Sequence, residues 1–266
     1  MTQNFDDKVL IVTGGNQGIG RAASLAASRL GASVVVASRT EKTGIETVQI
    51  IEKSKGKAIY VKTDVSDEAS VVNLIEKTLE SFGSLDMAFN NAGGGATSAN
   101  PVSTLEQSVE DWDTTINNNL KGTWLCMKHE IPPMLQSGKG SIVNMSSIAG
   151  VRPGPVAGPS YTAAKSGIAG LTGMTGLEFA GRGIRINAVA PTVTLTERWQ
   201  YDLQDKPELK SLLSETMPMG RAGNVEEVVA AVLWLLSESS SYVTGQTLSV
   251  DGAHSDSIAG YQSPRQ

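Results

Sequence analysis

The segment Tyr161-Thr162-Ala163-Ala164-Lys165 sets a phenol and an ammonium four residues apart, so a helix through it carries both on one face. An unperturbed tyrosine, with a pKa near about 10, is a poor proton shuttle at neutral pH. A fixed cation at short range favours the phenolate and lowers that value. A downward shift of about three units corresponds to roughly 4 kcal/mol, within reach of Lys165 and one further positive charge in a water-poor pocket. Such a phenol exchanges protons readily at neutral pH. Alone the pair says little, because Tyr and Lys at this spacing more often make a surface contact.

A second pattern stands near the amino end. Thr13-Gly14-Gly15-Asn16-Gln17-Gly18-Ile19-Gly20 directly follows the apolar run Val9–Thr13 and leads into helical spacing. Glycines tolerate the positive φ of a tight strand-to-helix turn. Lacking a Cβ, they also let a pyrophosphate approach the amino end of the helix, where the dipole favours an anion. The run therefore reads as a dinucleotide-binding turn, with Gly14, Asn16, Gln17, Gly18, Ile19 and Gly20 at the cofactor. An oxidised nicotinamide ring would be the further positive charge beside Tyr161. At the end of the next apolar run, an acid would hold the ribose hydroxyls of NAD, whereas an arginine accepts the extra phosphate of NADP. Ser38 stands where the acid is expected and Arg39 follows, so NADP(H) is favoured. NAD(H) stays open, because Gln17 adds no second basic residue and Arg39 can equally be a solvated group beside Glu41. After the third strand come Asp64 and Val65; Asp64 would contact adenine or cap the helix that begins near Asp67.

These groups need a scaffold. Val9–Thr13, Ser33–Ser38, Ala58–Lys62, Leu85–Asn90, Ser141–Met145, Arg185–Ala190 and Thr247–Val250 read as seven strands, apolar enough to be covered on both faces. Ile19–Leu30, Thr40–Lys53, Glu68–Phe82, Glu110–Leu135, Tyr161–Ala180 and Glu226–Leu236 carry apolar residues at helical spacing. The alternation predicts an α/β protein, a Rossmann-type doubly wound parallel sheet of about seven strands in a single domain spanning 1–254. Ligands bind such sheets at the carboxyl ends of the strands. There lie a glycine-rich loop at Gly93–Thr104 and a substrate loop at about 192–219, while 255–266 reads as a polar tail.

The 266 residues carry 22 Lys+Arg against 27 Asp+Glu, a net charge of −5 that offers no attraction for nucleic acid. One cysteine and two histidines are too few for a His/Cys zinc site, and no metal is expected. A lone cysteine, no basic leader before Lys8 and no apolar run long enough for a membrane span suggest a cytoplasmic protein without a membrane partner.

Taken together, the Thr13–Gly20 turn, Asn90-Asn91-Ala92-Gly93 after the fourth strand, Asn119 before Leu120-Lys121-Gly122, Ser147 after the fifth strand, and Tyr161 with Lys165 resemble the short-chain dehydrogenase/reductase family from about Asp7 to Gly252. The resemblance implies an oxidoreductase that passes a hydride between NADP(H) and a small-molecule carbonyl or secondary alcohol. An NAD-preferring alcohol or sugar dehydrogenase, or a non-catalytic dinucleotide sensor, are the alternatives. It makes Tyr161 the acid/base, Lys165 its tuner and the holder of the nicotinamide ribose, and Ser147, rather than Ser146, the hydrogen-bond donor to the substrate oxygen. Asn119 would bend its helix and hold a water leading from Lys165 to solvent. Asn90, Asn91, Ala92 and Gly93 would bound the adenine and ribose side, and Pro191, Thr194 and Thr196 the nicotinamide carboxamide. Thr192 stands where the family usually has glycine. A homotetramer is also implied, with the helices at Glu110–Leu135 and Tyr161–Ala180 across one interface. His254 reads as a tail residue.

Overall fold

The computed structural model describes residues 3–94, 103–152, 157–197, 199 and 216–254. The expected tail at 255–266, much of the glycine-rich loop and most of the 192–219 segment lie outside these residues. Strands β1 (Val9–Thr13), β2 (Ser33–Ser38), β3 (Ala58–Lys62), β4 (Met87–Asn90), β5 (Gly140–Met145), β6 (Ile184–Pro191) and β7 (Thr247–Val250) form one sheet in the order β3-β2-β1-β4-β5-β6-β7. Every pairing is parallel.

Parallel neighbours require crossovers, and these are α1 (Gly18–Arg29), α2 (Glu41–Lys53), α3 (Glu68–Phe82), α4 (Val109–Ile116), α5 (Gly122–Ser137), α6 (Ile148–Val151), α7 (Pro159–Phe179) and α8 (Val225–Leu236). Side chains alternate across a strand, so β1 feeds two cores. Leu10 and Val12 join Ala23, Ala27, Val232 and Leu236 on one face, while Ile11 joins Leu74, Ile131 and Met134 on the other. Burial on both faces explains why the strands read as near-continuous apolar runs. Because β1 lies between β2 and β4, the winding reverses there and leaves a crevice beyond the carboxyl ends of β1 and β4.

Most expected elements lie within two residues of their observed bounds. The expected helix at Glu110–Leu135 is instead broken into α4, a π-helical turn at Asn117–Lys121 and α5. The Asn119 side chain sits at the break: its Nδ2 donates to the Thr115 carbonyl at 2.8 Å, competing with the backbone ladder. The single-residue apolar pattern carries no trace of such a turn. The short helix α6 is also absent from the periodicity, since one turn is too brief to show a period.

Arg185 on β6 closes the end of α8. Its guanidinium donates to the carbonyls of Leu235 at 2.7 Å, Leu236 at 3.3 Å and Ser237 at 3.0 Å, and to Ser240 Oγ at 2.8 Å. The last carbonyls of a helix have no partner within it. Arg185→Leu should therefore lower stability by about 2–4 kcal/mol in urea unfolding, with Arg185→Lys recovering only part because a single ammonium cannot span the fork. An unchanged unfolding midpoint in both variants would show that water serves these carbonyls equally well.

Candidate active site

At the carboxyl end of β1 the chain turns through Gly14 at φ +65° and Gly18 at φ +51°, values that strain any side-chain-bearing residue. A Cβ on Gly20 would run into the Gly14 carbonyl and Asn91 Nδ2. Asn91 Nδ2 braces the turn by donating to the carbonyls of Thr13 at 3.0 Å and Gly14 at 3.3 Å. Thr13 Oγ1 accepts from the amides of Asn91 at 3.1 Å and Ala92 at 3.0 Å, which locks β4 to the turn. Helix α1 then starts with no cap from Gln17 and no acid in its own first turn, so its amino end attracts an anion. A cradle that a Cβ would fill, facing the amino end of a helix, fits a dinucleotide pyrophosphate.

Sequence reasoning missed Glu197, whose carboxylate accepts from the Gly18 amide at 3.4 Å. Its position directly after Thr196, whose methyl lies beside Gly18, was the available signal. Thr194 turns the other way: it is buried and gives its hydroxyl proton to the Thr192 carbonyl at 3.0 Å. Of the expected carboxamide-side residues, Thr196 faces the glycine turn, whereas Thr194 and Pro191 are buried. Thr192 also meets His254, with Oγ1 at 2.9 Å from Nδ1, so His254 is tied to the chain after β6 and is not a free tail residue.

Toward the second strand, a pocket is lined by Gly14, Asn16, Gln17, Ser38, Arg39, Asp64, Val65, Ala92 and Gly93, among others. Asn16 Nδ2 donates to Thr43 Oγ1 at 2.8 Å and fastens the turn to α2. Ser38 is buried and donates to the Thr40 carbonyl at 3.2 Å, while Arg39 is exposed. Asp67, not Asp64, caps α3, accepting from the Ala69 amide at 3.2 Å. Asp64 accepts from the Ser66 amide at 3.0 Å and the Ser66 hydroxyl at 2.7 Å. Burial acts to raise the Asp64 carboxyl, but the Ser66 bonds and the Arg39 charge hold it below its ordinary value. Asn90 corrects an expectation: its amide is buried and turned into the protein, bonding Glu130 Oε2 at 3.0 Å and Asn144 Oδ1 at 3.1 Å, so it does not border the cofactor pocket.

The serine pair at the end of β5 divides cleanly. Ser146 Oγ, fully buried, donates to the Lys165 carbonyl at 2.9 Å. Ser147 stands at the start of α6 and accepts from the Ala149 amide at 3.2 Å, close enough to Tyr161 to favour its phenolate. Lys165 lies one turn along α7, its Nζ 5.5 Å from the centre of the Tyr161 ring. Its ammonium donates to the Met145 carbonyl at 2.8 Å. Asn119 Oδ1 accepts from the Gly94 amide at 2.9 Å, and Nδ2 returns a bond to the Gly94 carbonyl at 3.2 Å. A Cβ on Gly93 would strike Asn119 Oδ1 at 2.5 Å and stand 3.5 Å from Lys165 Nζ, so the loop after β4 lies hard against both groups. Asn119, Ser147, Tyr161 and Lys165 thus converge beside the glycine turn.

The enoyl-(acyl carrier protein) reductase family model matches residues 14–254. The chain belongs to the short-chain dehydrogenase/reductase family. Among its relatives, glucose 1-dehydrogenase 2 of Bacillus subtilis is 39% identical over 254 residues, 95% of this chain and 96% of that one. A 2,5-dichloro-2,5-cyclohexadiene-1,4-diol dehydrogenase of Sphingobium indicum is 39% identical over 250 residues, 94% of this chain and 97% of that one. Levodione reductase superposes with a TM-score of 0.88 at 31% identity, covering 96% of this chain and 100% of the other. A 3-oxoacyl-[acyl-carrier protein] reductase of Brucella melitensis, solved with bound NAD, gives 0.84 at 32% identity, covering 93% and 90%. The protein is therefore an oxidoreductase of this NAD(P)-using family, acting on alcohols and carbonyls.

The charge states of this reductase-family site without cofactor differ from the sequence expectation. Burial raises the Tyr161 phenol above its ordinary value, with the neighbouring Ser147 opposing. Burial also depresses Lys165 from 10.5 to about 7, because the ammonium sits among neutral groups. For a base so depressed, the unfolded chain binds the proton more tightly than the folded chain. The destabilisation is full below about pH 7 and relieved as pH rises toward 10.5. Lys165→Met should accordingly raise the melting temperature of the cofactor-free protein at neutral pH and flatten this slope, while turnover is lost. Calorimetry across the pH range checks it; a lower melting temperature would mean the Met145 bond outweighs the cost of burial.

Proposed function

We propose that the protein transfers a hydride between NADP(H) and a small carbonyl compound or secondary alcohol, with Tyr161 as general acid/base. The placing of Ser147, Tyr161 and Lys165 at the carboxyl edge, where the pocket residue Gly93 lies against Lys165, carries this reading. The bound nicotinamide supplies or accepts the hydride. In reduction, the Tyr161 hydroxyl gives its proton to the oxygen of the carbonyl that receives the hydride; in oxidation, the phenolate takes the alcohol proton. The Ser147 hydroxyl, beside Tyr161, donates to the same substrate oxygen and stabilises the charge that builds there. Lys165, held on the Met145 carbonyl, would present its ammonium to Tyr161 and to the nicotinamide ribose. Asn119 holds the π-helical turn and the Gly94 backbone, which keeps a route for a water behind Lys165.

Arg39, exposed at the pocket edge with no acid at position 38, is the group suited to the 2′-phosphate of NADP(H). Asp64 favours the second reading, NAD(H), because its charge already engages Arg39. The buried Cys126 suits a reducing, cytoplasmic setting. A homotetramer is supported by an apolar groove between the α4/α5 turn and α7, lined by Ile116, Leu120, Trp124, Leu171 and Met174; Met174 is 62% exposed. A second copy of the same face would cover it.

Initial rates with NADPH and NADH over a panel of ketones and alcohols should favour NADPH, and Arg39→Ala should erase at least about tenfold of that preference, the worth of a charge-assisted hydrogen bond. Tyr161→Phe should abolish turnover while dinucleotide binding survives. A preference for NADPH that Arg39→Ala leaves intact would remove the phosphate-pocket argument, and retained turnover in the phenylalanine variant would remove the acid/base assignment. Separately, light scattering should report a tetramer that Met174→Glu reduces in size; an unchanged mass would place the interface elsewhere.

A further inference from the structure

Glu130 on α5 is fully buried beneath the site, and its carboxyl meets an amide instead of a cation. Asn90 Nδ2 gives one hydrogen to Glu130 Oε2 at 3.0 Å and the other to Asn144 Oδ1 at 3.1 Å. Asn144 Nδ2 donates in turn to Thr172 Oγ1 at 3.0 Å and to Met127 Sδ at 3.3 Å. All four amide hydrogens are thereby used. Among the described residues two buried acceptors are left without a partner, Asn90 Oδ1 and Glu130 Oε1, and they belong to two side chains already joined by a hydrogen bond. An ionised carboxylate would put a full charge here with one amide donor to hold it, a costly arrangement. One proton on Oε1, directed to Asn90 Oδ1, satisfies both atoms at once.

We propose that Glu130 is a positioning residue kept as the neutral acid, whose proton closes a buried bridge to Asn90 and so ties the glycine turn to the Lys165 side of the site. The sheet register supports this, since Thr13, Asn90 and Asn144 are paired neighbours across β1, β4 and β5. Asn91, next to Asn90, braces Thr13 and Gly14. Met145, next to Asn144, holds the Lys165 ammonium, and Thr172 lies on the helix that carries Tyr161 and Lys165. Among the described residues, Asn90 of β4, Asn144 of β5 and Thr172 of α7 make up the polar surroundings, and no charge from α3, β4, β5 or α7 bears on Glu130. On its own helix the titratable neighbour is the Cys126 thiol, raised by burial and then by Glu130. Burial pushes the Glu130 carboxyl up to about 7, against the opposing Asn90 bond.

The stability this proton contributes is fully present below the ordinary value of 4.5 and lost as pH rises through about 7. Ionisation removes the bridging proton and opposes two acceptors, which loosens the link from Asn90 to both halves of the site.

Infrared difference spectra of the full chain against Glu130→Gln, taken at about pH 6, should show a protonated carboxylic acid band that shifts in heavy water. Carboxylate bands in its place, as for a carboxylate served by a buried water, would overturn the proposal. Melting temperature should fall from about pH 5 to about pH 8 in the wild type relative to Glu130→Gln, whose amide supplies the donor at every pH; parallel curves would overturn it. Dinucleotide titration followed by fluorescence should show Glu130→Gln within about twofold of wild type and Glu130→Leu weakened about tenfold, the equivalent of one buried hydrogen-bond partner. Equal weakening in both variants would reduce Glu130 to a packing role. If Glu130→Leu does not fold, the infrared band and the Gln curve decide. These two readouts need no turnover, so they succeed or fail independently of the proposed reaction.

Discussion

Burying the Lys165 ammonium beneath Tyr161 is the constraint around which the site is built. A cation in that position needs a carbonyl, and β5 provides one at Met145 just before the chain leaves the sheet. Ser146 then fixes the same helix turn from below, through the Lys165 carbonyl, while the next residue along, Ser147, is left facing Tyr161. Two adjacent serines thus do different jobs: the Ser146 amide still bonds the Val189 carbonyl of β6 at 2.8 Å, whereas Ser147 already caps α6. Burial disfavours the charged form of each, the Tyr161 phenolate and the Lys165 ammonium, and shifts of this kind cluster at functional sites.

That geometry depends on the reversal of winding at β1 and β4. Their carboxyl ends stand side by side, so Thr13, Asn91 and Ala92 lock together, and the glycine turn is built from two strands instead of one. Asn119 reaches across from the π-helical turn to hold the Gly94 backbone. The loop after β4 is consequently pinned on both sides at the point where Gly93 meets Lys165. Beneath these contacts, Glu130, Asn90, Asn144 and Thr172 form a buried polar cluster, and such clusters specify one arrangement because any other leaves polar atoms unpaired.

Apolar runs and glycine spacing determined the element order and the parallel sheet, since a strand covered on both faces has a composition that water-exposed strands lack. They also marked the Thr13–Gly20 turn and the pairing of Tyr161 with Lys165, because positive φ and helical spacing are local properties. Only the tertiary structure decided where polar groups point. Asn90 and Asn91 are chemically identical and adjacent, yet one is buried against Glu130 and the other braces the cofactor turn. Thr194 and Thr196 part in the same way, and His254 meets Thr192 across 62 residues of chain. Hydrogen-bond partners far apart in sequence leave no local period, and the charge state of a buried group follows from its surroundings; both are settled when the chain packs.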